Sequence, residues 1–347
     1  MTVPFKQRLS LAAKVLLGKD KIASPKRNIH PISITDVQEV KRFFPMEKFF
    51  IFGHARSGTT VLARLIRLHP QVHCNYQAHF FTRPPLLQSL VSSNEVGEWL
   101  QRSSNRWNRG VDFSPVALRV TADYLMEREA RQLGKTIVGD KSPNSLLDGE
   151  AVRLMHQVYP DGRLIYIVRD GRDTALSHRF QAFIDFPEQL SKEDLEIRQA
   201  FANHPEPFLS GEKSVFSERT LRRAAQGWVR NVSETHQIGQ ELLGQHYYSL
   251  RYEDLVNHPE EQMRRLWEFL GAQTQSDDLD TAVSMEMQQN PDAQWQQEKA
   301  REIAEPLQKG KQGNWREIFT QKDRQVFQEI AGETLKAWGY ADTLSAK

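Results

Sequence analysis

Lys48-Phe-Phe-Ile-Phe52-Gly53-His-Ala-Arg56-Ser-Gly58-Thr-Thr60 is the stretch on which the reading of the fold turns. Phe49 to Phe52 is a short apolar run bounded by Lys48 and Gly53, the pattern of a buried parallel strand. Val61 to Ile66 then carries apolar residues at helical spacing. Between the two, Gly53 and Gly58 let the backbone curl so that its N–H groups point inward, and the start of the helix adds unpaired N–H groups and the positive end of its dipole. A turn of that kind holds a phosphate-sized anion. The same glycines also suit a plain tight connection, so the anion reading needs a second element elsewhere.

The turn fits the nucleotide-binding pattern G-x-x-x-x-G-K-[ST] at every position but one, because Thr59 stands where a lysine would reach the β- and γ-phosphates of a nucleoside triphosphate. Its cation comes earlier, at Arg56. With no acidic strand end evident for Mg²⁺, phosphoryl transfer from ATP is poorly supported, and the loop suits a smaller 5′ anion.

Working outward, the 347 residues leave room for one large α/β domain or two small ones. A hydrophobic content of 39% and a charged content of 26% are those of a soluble globular protein. The formal net charge of +2 is too small to argue for nucleic acid, so local clusters must carry any anion binding. The single cysteine, Cys74, excludes an intrachain disulfide and does not favour an oxidising compartment. No stretch approaches the roughly 18 apolar residues of a membrane span, so no transmembrane segment is expected and a cytoplasmic location is. In Met1 to Lys21, Phe5, Leu9, Ala12 and Leu16 share one helical face, with Lys6, Arg8, Lys14 and Lys19 elsewhere. No cleavage pattern follows; the expectation is a helix packed on the domain, with peripheral membrane contact as the alternative.

Residues 1–46 read as this helix and an extended lead-in, 47–340 as one domain with a helical, acceptor-binding insertion at 82–133, and 341–347 as a tail. Further strands are expected at Val72–Cys74, Thr136–Asp140, Arg163–Val168 and Tyr247–Tyr252, with helices over 144–159, 218–243 and 259–270. Phe180 to Ser217 is polar with scattered Pro and Phe and reads as a mobile segment. Strand and helix alternating at this spacing make a doubly wound parallel sheet of the α/β class, whose ligands bind at the carboxyl ends of the strands. Gly53, Lys141 and Arg169 all fall there.

The second element is Arg169, followed eight residues later by Ser177 in Arg-Asp-Gly-Arg-Asp-Thr-Ala-Leu-Ser. Arg169 leaves a strand end, and Ser177 falls one to two turns into the next helix. A guanidinium fork and a hydroxyl can then meet on one phosphate. The alternative is an arginine merely paired with Asp170 or Asp173.

Gly53 to Thr60 resembles the 5′-phosphosulfate loop of the sulfotransferases that use 3′-phosphoadenosine 5′-phosphosulfate (PAPS), which place a basic residue at the Arg56 position and Ser-Gly-Thr-Thr after it. The Arg169/Ser177 pair resembles that family's 3′-phosphate contacts. Lys309-Gly310-Lys-Gln-Gly313-Asn-Trp315 resembles its RKGxxGDW segment, with Gln308 in place of the arginine, and Arg251-Tyr-Glu-Asp-Leu255 a segment whose tyrosine lines the adenine site. These matches span residues 48 to about 320 and sit closer to the bacterial and tyrosylprotein-type group than to the cytosolic one. What the resemblance implies is a P-loop-like sulfotransferase. Arg56, Ser57, Gly58, Thr59 and Thr60 would hold the phosphosulfate, Arg169, Ser177, Lys309 and Gly310 the 3′-phosphate, and Tyr252 the adenine. It further implies PAPS as co-substrate, no metal, and a hydroxyl-bearing acceptor such as a carbohydrate, small molecule or peptide.

Sulfuryl transfer needs an in-line acceptor oxygen, cations for the charge on the departing oxygen, and a base for the acceptor proton. Arg56 is placed for the leaving oxygen, and Lys141 resembles a lysine that tyrosylprotein-type enzymes bring to the sulfuryl group. Those enzymes carry a catalytic glutamate where this chain has Gln77, which cannot take a proton at pH 7. His79 can, since an unperturbed histidine titrates near pH 6.5 and cytosolic-type sulfotransferases use histidine; Asp140 is the reserve. Arg83, Arg102, Arg106 and Arg109 suit an anionic acceptor or a solvated basic face. Two rivals stay open: a P-loop kinase or NTPase, and a non-catalytic binder of PAPS or its bisphosphate product.

Overall fold

Phe49, Phe50, Ile51 and Phe52 are all buried, as a central strand with both faces covered requires. In the computed structural model, which describes residues 28–102, 110–146, 149–273, 277–289 and 312–340, they form β1 (Glu47–Phe52). β2 (Val72–Tyr76), β3 (Ile137–Lys141), β4 (Arg163–Val168) and β5 (Tyr247–Arg251) join it in the order β2-β3-β1-β4-β5, every pair parallel. The register sets Phe50 beside Asp140 and Leu164, which brings the ends of β1, β3 and β4 to one edge.

Alternate residues point to opposite faces, so the β1 phenylalanines divide between two cores. Phe49 and Ile51 pack with Leu62, Leu65 and Trp267 of α2 (Thr59–Ile66) and α11 (Pro259–Leu270). Phe50 and Phe52 pack on the other face against α4 (Ser114–Gln132), α5 (Glu150–Val158), α6 (Gly171–Asp185), α9 (Glu218–Leu243) and α14 (Gln321–Ala337). A parallel sheet with helices on both faces is the doubly wound α/β arrangement expected from the sequence. No helix among the described residues is long and apolar enough to cross a membrane.

The amino-terminal edge of the sheet is closed by buried charge. Lys48 Nζ donates to Glu127 Oε1 and to the Met46 carbonyl, both at 2.7 Å, and stands 3.6 Å from Asp123. Arg119 donates to Asp123 (2.9 Å) and Asp161 (2.7 Å) while its guanidinium lies 4.1 Å from the Tyr159 ring centre. Burial pushes the Asp123 carboxyl up, against the pull of these cations.

Several expected boundaries move. Within the lead-in expected to be extended, Ser33 caps a helix, α1 (Ile34–Lys41), by accepting the Asp36 N–H at 3.1 Å. β5 stops at Arg251, and Tyr252 opens α10 (Tyr252–Asn257). The helix expected from Asn144 starts at Glu150, after Gly149 at φ 64°. The segment 180–217 is corrected most: α6 runs on to Asp185, and α7 (Lys192–Asn203) and α8 (Glu206–Leu209) follow. Its scattered phenylalanines converge, Phe180, Phe183, Phe201 and Phe208 forming a buried aromatic cluster beside an Arg179–Asp194 ion pair of 2.6 Å. Within 82–133 the described residues form a short 3-10 turn (Leu87–Val91), α3 (Asn94–Gln101) and α4. The expected helix over residues 1–21, and Arg106, Arg109, Lys309, Gly310 and Lys311, lie outside the described residues.

Candidate active site

The turn from Gly53 to Gly58 closes on itself through the Ser57 N–H, which donates to the His54 carbonyl at 3.1 Å, with Arg56 and Gly58 left-handed at φ 73° and 89°. The first intrahelical bond of α2 runs from Leu62 N–H to the Gly58 carbonyl (3.1 Å), so the N–H groups of Thr59, Thr60 and Val61 have no acceptor within the helix. Gly58 is required twice over: its φ disfavours any side chain, and a Cβ there would run into the Tyr252 ring. Ser57 Oγ is buried with no hydrogen-bond partner among the described residues. A buried hydroxyl without a partner is costly, and an anion seated in the loop would satisfy it.

The strand-end arginine meets this loop. Arg56 Nε donates to Ser177 Oγ at 3.1 Å, and Arg169 Nη1 to the Arg56 carbonyl at 3.4 Å. The Arg169 guanidinium faces the Tyr252 ring at 4.8 Å, and its own carbonyl accepts the Trp228 indole N–H at 3.1 Å. Asp170 is engaged by Arg172 (2.8 Å), and Asp173 accepts the backbone N–H groups of Gly313 (2.6 Å) and Trp315 (3.2 Å). The latter contacts hold the residues that follow Lys309 and Gly310 against α6. Arg56, Arg169, Ser177 and Tyr252 thus meet at the carboxyl ends of β1, β4 and β5. Burial depresses His54 to about 4, so it adds no charge to the loop at neutral pH.

Lys141 ends β3 and points its ammonium at the same loop, donating to Thr60 Oγ1 at 3.3 Å and lying 5.0 Å from the Tyr76 ring centre. Burial lowers its pKa. Beside it Gln77 and His79 are both left-handed, at φ 57° and 52°. Their turn is pinned by backbone donors: Gln77 N–H to the Lys141 carbonyl (2.7 Å), Ala78 N–H to Asp140 Oδ1 (3.0 Å) and His79 N–H to Ser142 Oγ (2.9 Å). Ser142 Oγ in turn donates to Asp140 Oδ2 at 2.5 Å. Asp140 therefore has both oxygens engaged and is only 1% exposed; it supports the turn and does not stand open to an acceptor. Its carboxyl is pushed up to about 6 by burial. His79 Nδ1 meets Thr82 Oγ1 at 2.8 Å. Burial first, then the charges of Arg83 and Lys141, lower its pKa.

A family model described as "Sulfotransferase family" matches residues 48–277. The chain belongs to the sulfotransferase family. It is 25% identical over 229 residues to a protein-tyrosine sulfotransferase of Drosophila melanogaster, covering 65% of this chain and 38% of that protein. To protein-tyrosine sulfotransferase A of Caenorhabditis elegans it is 27% identical over 231 residues, 64% of this chain and 49% of the relative. The chain thus spans about half or less of the length of these relatives. Among solved structures, it is similar to mouse sulfotransferase SULT7A1 complexed with PAP (18% identity, TM-score 0.45, covering 86% of this chain and 89% of that one). It is also similar to a sulfotransferase from Alicyclobacillus acidocaldarius (19% identity, TM-score 0.39, 69% and 90%).

The structure brings Arg56, Ser57, Gly58, Thr59, Thr60, Lys141, Arg169, Ser177 and Tyr252 together, with His79 next to Lys141. Sequence reasoning missed the residues that hold them. Trp228 reads as one apolar position in a long helix, and nothing in its spacing says that its N–H holds the Arg169 carbonyl. Ser142, Thr82 and Asp173 are single polar residues whose partners lie far along the chain or in a tight turn.

Proposed function

We propose that this chain transfers the sulfuryl group of PAPS to a hydroxyl-bearing acceptor, be it a carbohydrate, a small molecule or a peptide. The observation that carries the reading is the meeting of Arg56, Ser177 and Arg169 over a phosphate-type loop that has Thr59 in the lysine position. Bound PAPS would supply an activated sulfur, a new bond forming from the acceptor oxygen to sulfur as the bond from sulfur to the phosphate oxygen breaks and 3′,5′-adenosine bisphosphate departs. The α2 N–H groups, Ser57, Thr59 and Thr60 would hold its 5′ end, and Arg56 and Lys141 would meet the charge that builds on the leaving oxygen. Arg169 and Ser177 would take the 3′-phosphate, with Tyr252 against the adenine. Lys309 and Gly310 belong to the same proposal through the anchored Gly313–Trp315 that follows them.

His79 is our choice of base. In the tautomer whose Nδ1–H donates to Thr82, Nε2 can take the acceptor proton, and the lowered pKa keeps the ring neutral at pH 7. Gln77 cannot do so. Calorimetry in EDTA tests the donor site: 3′,5′-adenosine bisphosphate should bind about ten- to a hundredfold more tightly than AMP, a preference that Arg169→Ala erases. Binding of ATP that equals or exceeds the bisphosphate and depends on Mg²⁺ would return the loop to the kinases.

A further inference from the structure

The family match ends at residue 277, yet the last described residues return to the donor side of the sheet. α14 ends in a left-handed glycine, Gly339 at φ 73°, whose N–H donates to the Lys336 carbonyl (3.0 Å) while the Tyr340 N–H reaches the Leu335 carbonyl (2.8 Å). This glycine-terminated end swings Tyr340 inward, and a Cβ at Gly339 would stand 2.9 Å from Arg251 Nη1. Tyr340 is 8% exposed and gripped at both ends. Its hydroxyl donates to Glu253 Oε2 at 2.8 Å and lies 3.2 Å from the Val168 carbonyl, and its own carbonyl accepts from Arg172 Nη2 at 3.3 Å. Glu253 uses its other oxygen, Oε1, to accept the Asp170 N–H at 3.1 Å.

Glu253 follows Tyr252, and Asp170 follows Arg169. One carboxylate therefore ties the turn after β5 to the turn after β4, beside the two residues that face each other at 4.8 Å in the proposed nucleotide site. We infer that Glu253 and Tyr340 are positioning residues of the donor-nucleotide site: Glu253 sets the spacing of Arg169 and Tyr252, and Tyr340 holds Glu253 in place. The inference rests on the PAPS reading above and extends it to the end of α14. Burial raises the Glu253 carboxyl above its ordinary range, which marks it as a group taken out of water and dependent on the donors that hold it. Removing the Tyr340 hydroxyl takes away the side-chain donor to that oxygen and frees the carboxylate to turn away from Asp170.

The test uses the full chain and calorimetric titration with 3′,5′-adenosine bisphosphate, below the melting temperature of every variant. Tyr340→Phe and Glu253→Gln should each weaken binding about fivefold, and the double variant should lose little more than either alone. In an Arg169→Lys background, which keeps the charge but loses the fork, Tyr340→Phe should change affinity less than twofold, because the spacing it protects no longer matters. A merely structural role would lower the melting temperature and leave affinity within twofold of wild type, or would weaken binding equally in both backgrounds; either result overturns the inference. Wild-type protein with no preference for the bisphosphate over AMP would instead bring down the PAPS reading, and this inference with it.

Discussion

The proposed chemistry turns on Thr59, Gln77 and His79. Thr59 leaves the anion loop without the lysine that serves a triphosphate, and Arg56, turned by its left-handed backbone, supplies the charge from a different side. Gln77 and His79 share a strained turn, and only the histidine can accept a proton. His79→Ala should lower kcat by about a hundredfold or more while leaving bisphosphate affinity unchanged, as measured by steady-state kinetics and calorimetry. Because burial and the neighbouring Arg83 and Lys141 depress the His79 pKa, the acid limb of the wild-type rate should lie below pH 6.5. A rate that is already falling at neutral pH, or kcat unchanged in the variant, would remove His79 from that role. Arg56, Arg169 and Ser177 were legible from sequence because a cation after a strand and a hydroxyl in the next helix are local patterns. The choice between His79 and Asp140 was not, since both can accept a proton and only the contacts show that Asp140 is fully engaged.

At the level of elements, the ends of β2 and β3 are joined by the Asp140–Ser142 clamp on residues 77–79. The raised Asp140 pKa makes a prediction about pH with a definite sign. Its folded value, about 6, lies above the unfolded value of about 3.9, so the native state binds the proton more tightly. Stability from this group is complete below the unfolded value and declines as pH rises to about 6. Asp140→Asn should flatten that decline in melting temperature between pH 4 and 6, and loosen the turn, read as faster hydrogen exchange at Ala78 and His79. Unchanged pH dependence would mean that the carboxyl is not desolvated as the structure has it. The segment 180–217 carries the lesson of this scale. Its polar composition reads as mobile, but Phe180, Phe183, Phe201 and Phe208 come from three helices, α6, α7 and α8, to build one cluster that only their packing displays.

Stability and the proposed function fall on opposite edges of the sheet: buried ion pairs close the amino-terminal edge, and the proposed anion site lies at the carboxyl edge. Lys48→Met would remove the 2.7 Å partner of Glu127, which keeps Arg131 at 2.6 Å, and is expected to cost about 1.5–3 kcal/mol in chemical denaturation. Bisphosphate affinity of the folded protein should not change. A loss of affinity as large as the loss of stability would show that the two edges are coupled. The arrangement that depends on short-range pattern is legible in the amino-acid order. Continuous apolar strands alternate with amphipathic helices, which dictates a parallel sheet, and glycine spacing and strand-end cations mark the edge of the proposed anion site. The packed chain alone reveals which polar groups are engaged in the scaffold. Asp140, Trp228, Glu253 and Tyr340 acquire their roles from partners far along the chain or across a turn, and a hydrogen bond between such groups leaves no periodicity in the sequence because its strength is set by distance, angle, charge and burial in space.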